Sequence, residues 1–565
     1  MSTTLKTVLI AAAGLLLATT VLAGPPDAGS LLREQQKTPQ LPRKLPVPEQ
    51  QEQGPSEETG VRILVKGFRF SGYEGMVAEE ALQRVVAGAV GRKHSFAQLR
   101  VVVADVTRYL KEQGWLLAQA YLPQQDVSSG IVTIAIVQGK SDGNLHIEGD
   151  QSLRVNMDRL RRMGERIIKK GEPFHTRDVE RAVLLMNDLP GVTAKGTLSA
   201  GSSPGTTSLT IKASEDPLLA GAIWADNYGN RYTGALRGSG LLQVNDPLRI
   251  GDQANLDLTG SEGLATGGLE YSLPLGTSGL RGSVSYAFLW YELGEEYEAL
   301  DANGDAHTLQ ARIAYPFVRS RRTNIFASLA YEYKDLTDAV FDTDYSSKSI
   351  HNGIFSVYGD QYDTLFGGGL TSWNASATIG HMDEDIADID ITGTEGDYTY
   401  FHVSLSRLQR LSNRLILELA WHAQFSQDNL DSSEQFCLGG PYGVRAYPVN
   451  EGLGDEGHLF NADLYYSLPI PENYGKFEAG IFYDAGHITL HKDPWTNSIA
   501  TATGDNRYWL QGAGLGIEYS YNDTLNLRVC WAHTLGNNDG RGMNGEFSDG
   551  KDDDNRFWLQ AVWRF

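Results

Sequence analysis

The chain has 565 residues, more than one compact domain usually contains, and a formal net charge of −22. This excess of negative charge argues against a general nucleic-acid-binding protein. Mean hydropathy is −0.30, and after the first few dozen residues no apolar run is long enough for a membrane-spanning helix. A membrane β-barrel stays compatible with these values, because only alternate residues of its strands face lipid.

Two cysteines, Cys437 and Cys530, form no Cys-x-x-Cys pair and no metal-binding spacing. They are predicted to be small apolar residues in or near strands, with a disulfide between them as the less favoured alternative.

Residues 1–23 have the features of a secretory signal peptide. Lys6 supplies the positive charge, residues 8–17 form the apolar core, and residues 21–23 (VLA) form the cleavage site. A membrane-anchoring helix would need a longer apolar run. The mature chain is therefore expected to leave the cytoplasm.

Residues 24–60 are rich in Pro, Gln and Glu, which predicts a flexible linker over most of their length. The stretch 27–36 (DAGSLLREQQ) differs, because the N-cap candidate Asp27 precedes good helix formers. A short helix is predicted there, with an unstructured tail as the alternative. Residues 37–60 remain the linker.

Residues 61–140 and 141–215 are predicted to form two units with the same order, β-α-α-β-β, and so to be a tandem repeat. In the first unit, strands are predicted at 62–70, 118–122 and 131–137 and helices at 77–86 and 96–113. In the second unit, strands are predicted at 145–148, 192–199 and 208–213 and helices at 155–168 and 176–189.

The repeated unit resembles the POTRA domain, and residues 121–126 (YLPQQD) followed by Gly130 are similar to the first POTRA domain of two-partner-secretion transporters. An unrelated α+β repeat is the alternative. A sheet edge beside a helix can bind an extended peptide as an additional strand. The edges expected to bind substrate are the strand with Tyr121 and Leu122 and the strand with Ser208 and Thr210.

From residue 216 to residue 565 we count about sixteen segments with period-two alternation. Their connections are predicted to switch strictly between short turns and long loops, and the long loops are 292–307, 334–347, 382–396, 427–457, 491–506 and 534–554. This pattern is typical of an outer-membrane barrel. The predicted fold is a membrane β-barrel of about sixteen antiparallel strands with two periplasmic α+β POTRA domains.

The last predicted strand places aromatic and aliphatic residues on one face and ends in Trp563, Arg564 and Phe565. A terminal aromatic residue on such a strand resembles the signal that the barrel-assembly machinery reads. Trp563 and Phe565 are the residues expected to form this signal. A soluble edge strand is the alternative.

Residues 439–448 (GGPYGVRAYP) contain three glycines and two prolines, which exclude a regular strand or helix. Downstream, residues 482–486 (FYDAG) lie in a predicted strand. The pair resembles two motifs of the two-partner-secretion transporters called TpsB (ShlB/FhaC/HecB type), which are related to BamA. The chain departs once, since Ala446 stands where the family usually has Gly, and a positive φ there would be harder for Ala.

The resemblance implies that loop 427–457 folds back into the barrel and that its tip meets the barrel wall. The tip residues are Val444, Arg445, Ala446 and Tyr447, and the wall residues are Phe482, Asp484 and Gly486. Period-two alternation independently places Glu478, Phe482 and Asp484 inward, with Ala479, Ile481, Tyr483 and Ala485 towards lipid. Arg445 and Asp484 are therefore expected to form an ion pair in the lumen.

The resemblance also implies that residues 24–36 enter the barrel as a plug helix. The implied partners are a large TpsA-type exoprotein, bound unfolded through its N-terminal secretion domain, outer-membrane lipid and the barrel-assembly machinery. No nucleic acid, metal or other cofactor is expected. No catalytic motif is present in the sequence. Residues 301–305 (DANGD) begin like a calcium-binding loop, but Ala306 stands where that loop needs glycine and the final Glu is absent, so a solvated acidic surface is favoured.

Two functions remain. The first is a two-partner-secretion transporter in the outer membrane, which exports its exoprotein and in some members also activates a haemolysin or adhesin. The alternative is a BamA-like factor that inserts other proteins into the outer membrane, although that class usually has more POTRA domains. A diffusion porin would have no reason to carry POTRA domains.

Overall fold

The computed structural model describes residues 25–35, 62–149, 153–203, 206–386 and 390–565. The predicted signal peptide (1–23) and linker (37–60) lie outside these residues. Within the described ranges, no helix is long and apolar enough to cross a membrane, and no group of three or more His, Cys, Asp or Glu side chains could hold a metal ion. Cys437 and Cys530 are both free thiols.

The first helix, α1 (Ala28–Gln35), is buried among barrel side chains that include Tyr291 and Leu336. Asp27 caps it, because its carboxylate accepts a hydrogen bond from the backbone N–H of Ser30 at 2.8 Å. The hydroxyl of Ser30 accepts one in return from the backbone N–H of Asp27 at 3.1 Å. The predicted N-cap is therefore present.

The first repeat contains β1 (Arg62–Leu64), β2 (Gly67–Ser71), α2 (Glu79–Val86), β3 (Lys93–Ser95), α3 (Phe96–Glu112), β4 (Gln119–Tyr121) and β5 (Ile131–Val137), with a short 3-10 helix at Ala87–Ala89. Its sheet has the order β2-β5-β4, and β2 is parallel to β5. The strand predicted at 62–70 is divided in two, because β1 pairs with β3 in a separate ribbon.

The second repeat contains β6 (Lys140–Gly149), α4 (Met157–Ile167), α5 (Thr176–Asn187), β7 (Val192–Ala200) and β8 (Thr206–Glu215). Its sheet has the order β6-β8-β7. The prediction that the strand with Ser208 and Thr210 is an exposed edge is wrong. The first and last strands of the unit pair in parallel, so β8 is central, and β6 and β7 are the two edge strands.

Sixteen antiparallel strands close into a barrel, as predicted. Their bounds, with two short strands β20 and β21 inside one loop, are β9 (Leu219–Asp226), β10 (Arg237–Asn245), β11 (Gln253–Gly260), β12 (Leu264–Pro274), β13 (Arg281–Glu292), β14 (Asn303–Arg319), β15 (Thr323–Val340), β16 (Thr343–Asp363), β17 (Gly369–Glu384), β18 (Gly396–Arg410), β19 (Leu415–Ser426), β20 (Phe436–Cys437), β21 (Leu453–Gly454), β22 (Glu456–Ser467), β23 (Lys476–Thr489), β24 (Arg507–Tyr521), β25 (Leu525–Thr534) and β26 (Asn555–Arg564). Strand β26 pairs with β9 and closes the barrel. Short 3-10 helices lie in its connections at Arg231–Thr233, Glu295–Leu300, Leu365–Gly367 and Glu472–Tyr474.

The barrel wall alternates between lipid-facing and lumen-facing side chains. On β23, Ile481 and Tyr483 are 56% and 43% exposed on the outside, whereas Phe482 and Asp484 are 7% and 0% exposed on the inside. The parity predicted for this strand is confirmed.

The predicted strict alternation of short and long connections fails at two places. Instead of a long loop at 334–347, β15 and β16 are joined by a tight turn at Phe341 and Asp342, both with positive φ. These strands have 18 and 21 residues, whereas about 9–11 cross a membrane. Their outer ends lose the apolar lipid-facing residues and so resemble a loop in sequence. The connection 261–263 is also short.

The second POTRA unit contacts the turns at one end of the barrel. Arg159 donates to the carbonyls of Pro274 and Gly276 at 3.0 and 2.9 Å, and Asp188 pairs with Arg319 at 2.7 Å. This end faces the periplasm, and the long loops lie at the opposite end, called the outer rim below.

Candidate functional site

The segment between β20 and β21 forms a compact turn inside the barrel. The N–H of Gly443 donates to the carbonyl of Gly440 at 3.0 Å, and the N–H of Val444 donates to the carbonyl of Leu438 at 2.7 Å. Gly440 has a φ of 106°, which glycine adopts without a steric penalty. A Cβ on Gly443 would clash with the carbonyl oxygen of Leu438. This turn projects Arg445 towards the wall.

Arg445 binds two carboxylates from neighbouring strands. Its Nε and Nη2 donate to Asp484 on β23 at 2.8 and 2.6 Å. Its Nη1 and Nη2 donate to Asp463 on β22 at 2.7 and 3.1 Å. The side chains of Arg445, Asp463 and Asp484 are 5%, 10% and 0% exposed, so the contact is buried. These three residues are called the tip site below.

Further contacts fix the orientation of the arginine. The guanidinium lies 3.6 Å from the ring centroid of Phe482, a cation–π geometry. The backbone N–H of Arg445 donates to Asp484 at 3.0 Å, and its carbonyl accepts from the indole N–H of Trp558 on β26 at 2.7 Å. Asn461 bridges the carbonyl of Gly443 and the carboxylate of Asp484. Backbone and side chain are thus both held.

Small residues on the wall provide the space that the loop tip fills. A Cβ on Gly486 would lie 2.5 Å from Leu438, and a Cβ on Gly512 would lie 2.5 Å from the Cβ of Ala446. Ala446 has no positive φ. The alanine therefore fits the turn without backbone strain, because Gly512 leaves room for its methyl group.

The seven residues predicted for this contact are brought together. Val444, Ala446 and Tyr447 are 0–1% exposed in one apolar cluster with Phe482, and Tyr447 packs edge-on against Phe547. Asp463 was not predicted. Phe460, Ala462 and Leu464 alternate with it along β22, so period-two parity alone could have placed its carboxylate in the lumen.

The first limb of the same loop binds a different part of the wall. Lys334 on β15 pairs with Glu434 at 2.6 Å, and Lys348 on β16 pairs with Asp431 at 2.8 Å. Glu434 also accepts hydrogen bonds from Tyr400 and from other wall side chains. The side chains of Lys334 and Glu434 are 3% and 2% exposed. These two ion pairs are called the limb site below, and no sequence motif indicated them.

Helix α1 lies beside the limb site. Its N-terminal N–H, from Ala28, donates to Asp338 on β15 at 2.9 Å. The hydroxyl of Ser432, between the two acidic residues of the limb site, donates to Asp27 at 2.7 Å. A Cβ on Gly29 would clash with Ser432. Helix and loop therefore contact each other directly within the lumen.

Among the predicted substrate-binding residues, Ser208 and Thr210 lie on the central strand β8. The hydroxyl of Ser208 donates to the buried carboxylate of Asp142 at 2.6 Å. Burial alone would raise the pKa of Asp142. The hydrogen bonds from Ser208, Asn144 and Ser202 outweigh burial and hold that pKa well below its usual range. Ser208 therefore stabilises the unit internally, and β8 has no free side at which a peptide could pair.

Tyr121 lies on an edge strand, β4, and is 47% exposed, while Leu122 follows it. The outward N–H of Ala120 on this edge already donates to the hydroxyl of Thr107 at 3.0 Å. In the second unit, Asn187 satisfies both backbone groups of Ala194 on β7. Gly196, Leu198 and Ala200 follow Ala194 at every second position. Their backbone N–H and C=O groups therefore also face away from β8. Strand β7 thus presents a more open edge than β4.

Trp563 and Phe565 are 46% and 57% exposed, with ring centroids 5.4 Å apart. The N–H of Phe565 donates to the carbonyl of Gly221, and the N–H of Gly221 donates back, each at 3.0 Å. Phe565 therefore takes part in the pairing with β9 that closes the barrel.

Comparison with known proteins bears on the whole chain. A family model described as haemolysin secretion/activation protein ShlB/FhaC/HecB matches residues 205–519, and a ShlB-type POTRA domain model matches residues 63–139. The chain is 26% identical over 573 residues to the heme/hemopexin transporter protein HuxB of Haemophilus influenzae (strain 86-028NP), covering 98% of this chain and 97% of HuxB.

Two solved structures share the fold. CdiB from Escherichia coli aligns with a TM-score of 0.71 at 20% identity, covering 90% of this chain and 91% of CdiB. BamA from Haemophilus ducreyi lacking POTRA domains 1-3 aligns with a TM-score of 0.51 at 12% identity, covering 89% of this chain and 99% of that one. At these identities the two likenesses concern architecture alone.

Proposed function

Because the chain belongs to the ShlB/FhaC/HecB family of haemolysin secretion/activation proteins, it is an outer-membrane two-partner-secretion translocator with periplasmic POTRA domains, and we propose that its own partner is one large unfolded exoprotein. The observation that carries this proposal is the buried tip site, where Arg445 fixes the inserted loop to Asp463 and Asp484. The names of HuxB and CdiB describe transporters, which supports transport rather than catalysis.

In this proposal the exported chain passes beside the inserted loop. A cavity of about 760 Å³ lies against β14–β19 on the inner face of the wall. Its lining includes five serines, at positions 328, 356, 372, 404 and 406. Hydroxyl groups can bond to any peptide backbone without selecting a side chain. The tip site occupies β22 and β23, so the chain can pass without breaking it.

Helix α1 acts in this proposal as a removable plug. It is buried between the wall and the first limb of the loop. Its polar contacts lie at both ends, with Asp338 and Ser432 at the N-terminus and with Arg237 at Glu34 and Gln35. The linker at 37–60 is long enough in sequence to let the helix leave without unfolding the POTRA units. Outer-membrane lipid surrounds the barrel, and Trp563 with Phe565 forms the signal for the barrel-assembly machinery.

The unfolded partner binds the second POTRA unit as an added strand on β7. The backbone groups of Gly196, Leu198 and Ala200 face away from β8, and helix α5 flanks them through Val183. Backbone pairing gives affinity without strict sequence demands. The edge at Tyr121 and Leu122 contributes side-chain contacts, since the hydroxyl of Thr107 already accepts a hydrogen bond from the outward N–H of Ala120.

Deleting the gene and measuring the secreted and surface proteins by mass spectrometry tests the function. We expect one large protein to disappear and to return when the wild-type gene is restored. If the secreted proteins are unchanged and the levels of other outer-membrane barrels fall instead, the chain is an insertion factor of the BamA kind.

The β7 edge is tested by complementing the deletion with Leu198→Pro. Proline removes one outward N–H but leaves the ladder to β8 intact, so export should fall about threefold to tenfold. Leu198→Ala is the control, because it loses the same side chain and keeps the N–H. Equal export by the two variants would place recognition elsewhere.

A further inference from the structure

Six histidines face outwards near the outer rim, at positions 307, 351, 381, 458, 487 and 533. On their strands the apolar lipid-facing band ends at this level. On β22, Phe460 lies below His458 and Glu456 lies above it; on β17, Ile379 lies below His381 and Asp383 lies above it. The histidines therefore lie at the height of the lipid headgroups.

Four of these imidazoles have a hydrogen-bond partner within the protein. His307 and His351 bond to tyrosine hydroxyls, and His381 and His533 bond to Asp397 and Asn555. For His458 and His487 no hydrogen bond to a described residue is found, and both rings contact neighbouring aromatic side chains. These two are direct cross-strand partners on β22 and β23, so their side chains lie side by side on the lipid-facing surface.

A permanently cationic group completes this surface. Arg507 on β24 is exposed and pairs in register with Thr489, one step outward from the pair of His487 and Trp509. Its guanidinium forms no ion pair with any described residue. The neighbouring carboxylate, Glu456, is already paired with Lys492 at 2.8 Å. Positive charge is thus uncompensated here, on a chain whose net charge is −22.

We propose that His458, His487 and Arg507 form a binding site for a phosphate group on an outer-leaflet glycolipid headgroup. The imidazoles and the guanidinium supply donors that a phosphate oxygen accepts. Trp509 packs against His487 with centroids 5.1 Å apart, and Trp421 stacks on His458 at 6.2 Å. These indoles provide the amphipathic flank that an acyl-chain boundary favours. The site anchors one lipid beside β22–β24, on the outer face of the wall that carries the tip site.

The pair of His351 and His381 provides a matched control. It has the same cross-strand geometry on β16 and β17. Its surroundings are acidic, because His381 contacts both Asp397 and Asp383. The two sites differ in charge while sharing position and residue type, so the second should not retain a phosphate.

Native mass spectrometry of the full-length protein in detergent tests the proposal, with diphosphoryl lipid A as the probe. The triple variant His458→Gln, His487→Gln, Arg507→Gln should lose about tenfold in lipid A affinity. The double variant His351→Gln, His381→Gln should bind like wild type. Heat-modifiable electrophoretic mobility verifies that each barrel is folded, and Arg507→Gln alone replaces the triple variant if that one does not fold.

Four outcomes would overturn the proposal, the last of them in a competition with inorganic phosphate. The variants at His458, His487 and Arg507 bind lipid A as wild type does; or the control pair loses as much affinity; or lipid A stripped of its phosphates binds equally well. Competition with inorganic phosphate separates the sources: displacement of lipid A by millimolar phosphate would show a free-anion site rather than a lipid site.

Discussion

The tip site and the limb site hold the same loop with opposite polarity. At the tip, the loop contributes the cation, Arg445, and the wall contributes Asp463 and Asp484. At the limb, the wall contributes Lys334 and Lys348, and the loop contributes the acids. Both sites are buried, but they lie on different parts of the barrel, β22–β23 and β15–β16.

The difference between a guanidinium and an ammonium group predicts different behaviour. Arg445 donates four hydrogen bonds from a rigid planar group to two fixed carboxylates, so one geometry satisfies it. Lys334 is a flexible point charge that contacts Glu434 at 2.6 Å and Glu332 at 3.5 Å. The wall glutamate can keep the lysine paired when the loop leaves. We infer that the limb site opens during export while the tip site stays assembled.

Arg445→Ala should have the largest effect. It removes the cation that is paired with two buried carboxylates, at a cost of about 3–5 kcal/mol, and export should fall at least about tenfold while the barrel still assembles. Export by Arg445→Lys should fall nearly as far, because a lysine cannot make the paired contacts with both acids. The readout is secreted partner per folded transporter. Wild-type export by Arg445→Lys would break the comparison, since a point charge would then suffice at both sites.

The tip site was accessible to sequence reasoning because two of its motifs resemble those of a known family and because its geometry constrains residue types. A turn that must pass close to its own backbone needs glycine at 443, and a lumen-facing acid on an alternating strand is identified by parity at Asp484. The same parity applies to Asp463, but no motif drew attention to β22. Strand counting worked because period-two alternation persists through the lipid-facing band.

Other features depend on information that periodicity does not contain. The alternation around Thr210 is the same for a central strand and for an edge strand. Only the parallel pairing of β6 with β8 shows that its strand is central. The outer ends of β15 and β16 lose the apolar face because they extend past the membrane. Glu434 and Asp431 lie in a loop that has no period-two alternation. Their pairing with β15 and β16 therefore becomes evident only when the closed barrel places the loop against those strands.

Glu434→Gln should have a smaller effect than loss of the arginine. Lys334 keeps Glu332 as a partner, so the cost should be about 1–3 kcal/mol. We expect more frequent channel opening in planar bilayers and export within about threefold of wild type. Asp431→Asn tests the second pair in the same way. A loss of export equal to that of Arg445→Ala would show that both sites must stay closed, contrary to the inference.

The smallest effect is expected at the N-cap of helix α1, where the plug contacts the limb of the loop rather than its tip. Asp27→Ala removes the cap to Ser30 and the acceptor for Ser432. A lost cap costs about 1 kcal/mol, so channel opening should rise about fivefold. Deletion of residues 24–36 gives the upper limit of channel opening, and Asp27→Asn, which keeps an acceptor, should remain near wild type.

Combining Asp27→Ala with Glu434→Gln tests whether the helix and the limb site are coupled. Because Ser432 links the helix to the limb site, the double variant should open less than the two single effects predict together, whereas a combination of Asp27→Ala with a change at Asp463 should be additive. Additivity in both pairs would mean that helix and loop move independently.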